Sequence, residues 1–160
     1  AKGLEAAGIA LRFPSAPAVP YTLVGGMLQT VWFDRKGMTY ESPEDVAGVA
    51  RSVRQIDEEI EKLIADGIPV ERIGVAGMSM GGCMAMHLAY GAGRYAGRLG
   101  AVAALSAFLP RNSALDALAA ARFGAFSETG PSLFMAHGAA DQMVSPRWAE
   151  ETRRRLVAAG

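Results

Sequence analysis

One serine, in a glycine-rich turn, has the setting in this chain that most strongly suggests chemistry. Residues 72–82 read as a short apolar strand, then Gly-x-Ser-x-Gly, then the start of an apolar helix. Such a strand-to-helix turn, the nucleophile elbow, presents its serine hydroxyl at the carboxyl end of the sheet, beside a helix N-terminus. We expect Gly77 and Gly81 to relieve crowding there, since a Cβ at either position would meet neighbouring backbone. Ser79 is therefore interpreted as a nucleophile; the alternative is a turn whose serine only caps the helix.

A carboxylate near a second strand end could support that serine. Asp141 follows the predicted strand 132–136, and functional groups of parallel α/β sheets gather at the carboxyl ends of the strands. An acid there can orient a histidine base, which in turn activates a serine. The chain order of serine followed by acid is also the one expected of this arrangement. We predict Asp141 as the triad acid; the alternative is a surface turn residue.

Neither of the two histidines fits the role of catalytic base. His87 lies on the apolar helix after Ser79, where we expect it to face the core. His137 ends a strand four residues before Asp141, too close in sequence to bridge the acid and the nucleophile. Cys83 and His87 could share a helix face as metal ligands, but a pair is too few for a site. We expect both histidines to be structural and predict no metal.

The composition excludes several classes of function. The 160 residues fit one domain, and with 51% apolar and 20% charged residues they can bury a sizeable core. Sixteen basic and sixteen acidic residues cancel, so no net charge favours nucleic acid or an anionic membrane. No apolar run approaches the roughly 18 residues of a membrane span. The single cysteine, Cys83, excludes an internal disulfide framework and is compatible with a reducing compartment; we expect the cytoplasm.

The elements that must position these residues alternate between strand and helix, which predicts an α/β fold, a mostly parallel sheet covered by helices on both faces. One helix is expected from an N-cap at Ser42 to Gly67, with Glu44 and Asp45 in its first turn. Further helices are expected over 80–90, over 111–123 (a weak one), and from an N-cap at Ser145 to the end. Residues 1–8 look like the tail of a further helix. Strands are expected at 9–13, 73–76, 100–107 and 132–136. The irregular stretch 15–40 is a candidate wall of the substrate site.

Several segments resemble the acyl-protein thioesterase and lysophospholipase branch of the α/β-hydrolases. The similar segments are residues 13–17, 25–26, 31–35, 77–90, 105–109, 137–141 and 148–151. The resemblance implies a cofactor-free serine hydrolase that cleaves acyl thioesters on proteins, or small carboxylic esters. It implies Ser79 as nucleophile, Asp141 as acid and the Met80 backbone N–H as one oxyanion donor. The implied partners are S-acylated proteins or small esters, with no nucleic acid and no stable membrane insertion.

The acyl group would need an apolar site beside these residues. We expect its lining from side chains that follow strand ends near Ser79 and Asp141, namely Trp32, Phe108, Leu109, Met143 and Val144. The alternative for Phe108 and Leu109 is ordinary core packing.

Two parts of the family pattern fall outside residues 1–160. The family carries a His-Gly loop upstream that supplies a second oxyanion N–H, and a catalytic histidine one strand–helix unit, roughly 30 residues, after the acid. In the family's strand order, a strand before Ala1 lies between the strand at 9–13 and the strand at 73–76. We therefore expect a single partial α/β-hydrolase domain, incomplete at both ends and with a gap in its sheet. The alternative function is a non-catalytic relative that binds acyl groups or proteins through the same groove.

Overall fold

In the computed structural model, residues 7–123 and 130–158 are described. The predicted tail of a helix at 1–8 lies largely outside them. Along the chain come β1 (Ala18–Pro20), β2 (Leu28–Thr30), α1 (Val46–Ala65), β3 (Gly74–Met78), α2 (Met80–Tyr90), β4 (Ala101–Leu105), α3 (Ala114–Phe123), β5 (Ser132–Ala136) and α4 (Pro146–Ala158). The predicted alternation of strand and helix is confirmed. β1 and β2 form a small antiparallel pair within the stretch predicted as irregular.

The sheet that carries the candidate residues consists of β3, β4 and β5, parallel and in that order. Their last residues pair with one another across the sheet. One residue further on, the Ser79 N–H donates to the Leu105 carbonyl and the Ser106 N–H to the Ala136 carbonyl, both at 2.8 Å. Ser79, Ser106 and His137 therefore begin three adjacent turns at one end of the sheet.

The core lies between the sheet and two helices. α2 packs directly on β3 and β4 and is buried from Gly82 to its end, as expected for a helix that is apolar on all sides. α1 packs against α2 through one apolar stripe, and its buried members include Val49, Val53, Ile56 and Ile60. α2 and the buried stripe of α1 therefore form the main core between them.

The opposite face of the sheet is open to solvent in the described part of the chain. Met78, Leu105 and Phe134 are 70%, 38% and 62% exposed and lie at alternate positions from the residues that contact α2. The sequence predicts helices on both faces; α2, the described helix that packs on this sheet, covers one of them.

The predicted strand at 9–13 is not formed. These residues have no regular secondary structure and pair with no described strand, and among the described residues β3 pairs on one side only, with β4. A cavity of about 880 Å³ separates residues 8–14 from the free edge of β3. A strand needs a neighbour for its N–H and C=O groups, and the described residues supply none in this gap. The sequence predicts a gap between two strands of the sheet; the structure has a cavity at that place, with a described strand on only one side of it.

α1 begins later than predicted. Its first residue is Val46, and Asp45 rather than Ser42 is its N-cap: a carboxylate oxygen of Asp45 accepts the Gly48 N–H at 3.0 Å. The Ser42 hydroxyl is instead 2.9 Å from the Thr39 hydroxyl, in a turn before the helix. The predicted cap at Ser42 is wrong because a better acceptor follows it by three residues.

Candidate active site

Ser79 has the backbone of a strained elbow. Its φ of 53° and ψ of −117° lie in a region that side chains with a Cβ rarely adopt. The surrounding structure fixes this conformation, because the Ser79 N–H donates to Leu105 and the Ser79 carbonyl accepts the Cys83 N–H at 3.1 Å. The Ser79 side chain makes no capping hydrogen bond to α2. The geometry therefore favours the nucleophile interpretation over a capping serine.

The two elbow glycines differ in their surroundings. A Cβ at Gly77 would lie 2.2 Å from the carbonyl carbon of Gly81 and 2.7 Å from the Gly82 nitrogen, so any side chain at this position must displace the backbone of α2. A Cβ at Gly81 would find its nearest neighbour outside the helix backbone at 4.0 Å, the Trp32 indole nitrogen. The expected crowding is confirmed at Gly77 and wrong at Gly81, because only Gly77 faces the first turn of α2.

Backbone donors stand directly beside Ser79. Met80 is the first residue of α2, and the first N–H groups of a helix have no acceptor within the helix. They carry the partial positive charge of the helix N-terminus, which attracts a developing negative charge. The position of Met80 is compatible with the predicted role of its N–H as an oxyanion donor.

Asp141 lies in the loop between β5 and α4. Its Oδ1 accepts the backbone N–H groups of Met143 and Val144, both at 2.9 Å. Its Oδ2 lies 3.4 Å from Nε2 of His137. The hydrogen bonds from Val144 and Met143, together with the nearby His137 ring, hold the pKa of Asp141 below its usual value. The carboxylate is therefore ionised at neutral pH, as a triad acid must be.

One strand, β4, separates the turn of the candidate nucleophile from the loop of the candidate acid. Ser79 follows β3 and Asp141 follows β5, with β4 between them. Two strand spacings amount to about 10 Å. An imidazole ring hydrogen-bonded at both nitrogens, with each bond about 2.8 Å, spans most of such a distance. At the level of the strand ends, this spacing would admit one histidine ring between the two turns.

His87 is a core residue, as predicted. It is 1% exposed, and its Nε2 lies 3.0 Å from Oε1 of Glu44. Glu44 also accepts the Ser113 hydroxyl and the Ala114 N–H, each at 2.8 Å. Burial alone would raise the pKa of Glu44, but these donors, led by His87, hold it below its ordinary value. Sequence analysis missed this pairing because the two residues are 43 positions apart and no local pattern links them.

His137 is committed to its own loop. Its Nε2 lies 2.8 Å from the Val144 carbonyl oxygen, and that oxygen and Asp141 both belong to the loop that His137 begins. The side chain is directed at the loop rather than at Ser79. Its expected structural role remains the interpretation that this geometry favours.

Cys83 is buried one helical turn after Ser79. It is 2% exposed, its Sγ donates to the Phe108 carbonyl at 3.0 Å, and Nη2 of Arg35 lies 3.5 Å from the sulfur. Burial raises the pKa of the Cys83 thiol, and the Arg35 cation only partly opposes this. Residues 7–123 and 130–158 contain no group of three or more His, Cys, Asp or Glu that could hold a metal ion.

The residues expected to line an acyl site separate into two groups. Phe108, Leu109 and Val144 are 1%, 0% and 4% exposed, and Phe108 packs against Trp148 with ring centroids 4.9 Å apart. For Phe108 and Leu109 the structure favours the packing alternative, and Val144 is buried with them. Trp32 and Met143 keep accessible surface.

The cavity beside β3 is not lined by the candidate catalytic residues. It reaches Trp32, Gly77 and Gly81, but neither Ser79 nor Asp141 is among the residues that line it. It follows the free edge of β3, and we attribute it to the gap in the sheet.

In the described part of the chain, no helix has both the length and the apolar character needed to cross a membrane.

The chain is similar to several hydrolases. It is 36% identical over 155 residues to lysophospholipase-like protein 1 of Mus musculus, covering 95% of this chain and 61% of that protein. It is 29% identical to acyl-protein thioesterase 1 homolog 2 of Dictyostelium discoideum, covering 92% and 62%. The crystal structure of Arabidopsis thaliana SOBER1 superposes with a TM-score of 0.77 at 26% identity, covering 98% of this chain and 71% of that one. The chain thus spans about three fifths of both curated relatives. Residues 4–160 match the phospholipase/carboxylesterase family, and the chain belongs to that family of α/β-hydrolases.

Proposed function

We propose that this chain supplies the nucleophile and the acid of a serine hydrolase that cleaves acyl thioesters on proteins, or small carboxylic esters. The observation that carries the proposal is Ser79, held at a positive φ between β3 and α2 with no capping bond on its hydroxyl. Membership of the phospholipase/carboxylesterase family supports ester chemistry. Similarity to a protein named as an acyl-protein thioesterase supports the thioester substrate.

The proposed reaction has two stages. The Ser79 Oγ attacks the acyl carbonyl carbon while a histidine base takes its proton, and the carbonyl oxygen becomes an oxyanion that accepts the Met80 N–H. The C–S or C–O bond then breaks, and the thiol or alcohol leaves with the proton from the base. Water attacks the acyl-serine in the second stage, releasing the carboxylic acid and restoring Ser79. Asp141 orients the base and stabilises its protonated form.

The base is proposed to come from outside residues 1–160. The chain contains two histidines: His87 is buried against Glu44 and His137 is bonded within its own loop. Neither side chain is bonded towards the space between the Ser79 turn and the Asp141 loop, which is where the proposed mechanism needs an imidazole. A histidine ring from another part of the polypeptide would complete the set.

Trp32 and Met143 are the lining candidates that keep accessible surface. Trp32 is near the elbow, 4.0 Å from a Cβ built at Gly81, and Met143 lies two residues after Asp141 with 75% of its surface exposed. We propose that they flank the acyl group. Hydrolysis of p-nitrophenyl esters of increasing chain length by Trp32→Ala and Met143→Ala variants tests this, with a changed chain-length preference expected.

A fluorophosphonate probe tests the nucleophile. The protein as its gene encodes it should be labelled on Ser79, and Ser79→Ala should abolish labelling. Ser106→Ala is a matched control, because Ser106 also has a positive φ, 45°, at the neighbouring strand end but has no helix directly behind it; it should be labelled like the parent. Labelling of Ser79→Ala at the parent rate would refute the assignment of Ser79.

A non-catalytic relative that binds acyl groups or proteins is the second candidate. It is favoured because both histidines are hydrogen-bonded elsewhere, His87 to Glu44 and His137 to the Val144 carbonyl. The same experiment separates the two functions. If the protein as its gene encodes it neither reacts with the probe nor hydrolyses esters, but binds a fatty acyl chain in a fluorescence titration, the binding function is the correct one.

A further inference from the structure

The two carboxylate oxygens of Asp141 are held differently. Oδ1 accepts two backbone hydrogen bonds of 2.9 Å, from Met143 and Val144. Oδ2 has one longer contact, 3.4 Å, with Nε2 of His137. An ionised carboxylate oxygen accepts more than one hydrogen bond. Oδ1 is therefore occupied by the loop itself, while Oδ2 retains capacity for another donor.

His137 closes the ring of hydrogen bonds around this loop. Its Nε2 lies 2.8 Å from the Val144 carbonyl oxygen and faces Oδ2 of Asp141 as well. Because both neighbours are acceptors, Nε2 must carry the hydrogen. The Val144 N–H meanwhile donates to Oδ1 of Asp141. The peptide groups of Val144 are thus bound on one side by the carboxylate and on the other by the imidazole.

The imidazole ties the loop to the sheet. His137 directly follows Ala136, the last residue of β5, which pairs with Leu105 in the central strand. Its side chain is 11% exposed, and its Nδ1 is buried without a hydrogen-bond partner in the described residues. The bonds that His137 makes therefore run to the loop through Nε2 alone. A side chain without a donor at this point would keep the hydrogen bonds to Oδ1 of Asp141. It would lose the hydrogen bond that joins Val144 to the residue at the end of β5.

We infer that His137 is a positioning residue for Asp141: it fixes the loop so that Oδ2 stays available to the catalytic base. This inference rests on the proposed function, since it gives His137 a role in orienting the carboxylate of the proposed triad acid. His137 itself touches neither the nucleophile nor, in this role, the substrate.

Two substitutions at one position test it, in the protein as its gene encodes it. His137→Leu removes the donor, whereas Gln carries an N–H donor the same number of bonds from Cβ as Nε2 of histidine. His137→Leu should lower kcat for p-nitrophenyl butyrate by about 10- to 100-fold, with KM within about threefold of the parent. His137→Gln should restore kcat to within about threefold of the parent.

A second buried histidine provides the control for stability. His87→Gln alters an imidazole of the core whose Nε2 is hydrogen-bonded to Glu44 rather than to the Asp141 loop. It should lower the melting temperature but leave kcat of the folded protein within about threefold of the parent. A merely structural role for His137 would give the same pattern, with kcat kept and melting temperature lowered.

Asp141→Asn in the same assay separates the two proposals. If it keeps the kcat of the parent, the proposed function fails and the role of His137 fails with it. If it is inactive while His137→Leu keeps the parent kcat, only the positioning role is overturned. Equal losses of kcat in His137→Leu and His137→Gln would also overturn it, because the donor would then not be what matters. A large loss in His137→Leu that His137→Gln restores supports the inference.

Discussion

A methyl group added at Gly77 tests whether the elbow depends on the close approach of α2 to β3. The Cβ of Gly77→Ala would lie 2.2 Å and 2.3 Å from the carbonyl carbon and oxygen of Gly81, and 2.7 Å from the Gly82 nitrogen. Carbon atoms in contact are ordinarily about 3.5–4.0 Å apart. Since all three neighbours are backbone atoms, no rotamer change relieves the contact. The start of α2 must instead move by about 1.3 Å, the difference between 3.5 and 2.2 Å.

This displacement should slow the reaction of Ser79 strongly while leaving the protein folded. Overpacking in a dense interior costs about 1–3 kcal/mol, and a rigid backbone neighbour favours the upper end of that range. A domain is stable by about 5–15 kcal/mol, so the variant should still fold. Ser79 and the Met80 N–H move with the start of α2, and a misplacement of about 1 Å can cost on the order of 100-fold in rate.

The assay compares Gly77→Ala with Gly74→Ala, a second glycine of β3. A Cβ at Gly74 would meet the Ala101 carbonyl oxygen at 3.5 Å and the Ala101 Cβ at 3.9 Å, which are ordinary contacts. Urea unfolding should show a loss of about 3 kcal/mol for Gly77→Ala and a change within about 1 kcal/mol for Gly74→Ala. Fluorophosphonate labelling should slow about 100-fold only in the former. Parent-like unfolding and labelling of Gly77→Ala would refute the crowding argument.

Two further predictions concern buried polar groups. Glu44→Gln should destabilise the fold by about 2–4 kcal/mol at pH 7, since three donors surround the buried carboxylate. Burial opposes these donors, which are led by His87, but they still hold the pKa of Glu44 below 4.5; the parent therefore keeps this stabilisation above pH 4.5 and loses it as the pH falls further. Urea unfolding from pH 7 to pH 3 should show that the difference in free energy of unfolding between the parent and Glu44→Gln becomes smaller. A difference that stays constant over this range would contradict the assignment. Arg155→Lys should cost about 1–3 kcal/mol, because the guanidinium bonds the Leu109 carbonyl at 3.0 Å and the Asp116 carboxylate at 2.7 Å; thermal unfolding equal to that of the parent would contradict this.

Elements with local signals were predictable from sequence. α2 and β5 begin and end at the predicted residues, 80–90 and 132–136. In α2 the glycines of the turn mark the start, and in β5 a short apolar run is bounded by serine and by His137-Gly138. The elbow could be identified for the same reason, because Ser79 lies between two elements that are each recognisable alone.

Elements that depend on distant neighbours could not be predicted in the same way. Residues 9–13 have the composition of a strand, but strand formation also needs a hydrogen-bonded neighbour. The sequence predicts Glu44 in the first turn of α1, which is wrong: Glu44 precedes the N-cap Asp45 and accepts the Ala114 N–H at the start of α3, 70 residues later. The burial of Phe108 and Leu109 likewise depends on where α4 packs, through Trp148 and the hydroxyl of Thr152.

The sulfur of Cys83 gives this chain an internal reporter of its own motions. It is the one cysteine among the 160 residues, it is buried one turn from Ser79, and its thiol is held in the unreactive protonated form. A disulfide reagent can therefore react with it only when the core beside the elbow opens. Under native conditions the exchange rate measures the free energy of that opening. Slowing of the exchange by an acyl ligand would reveal binding without any engineered label.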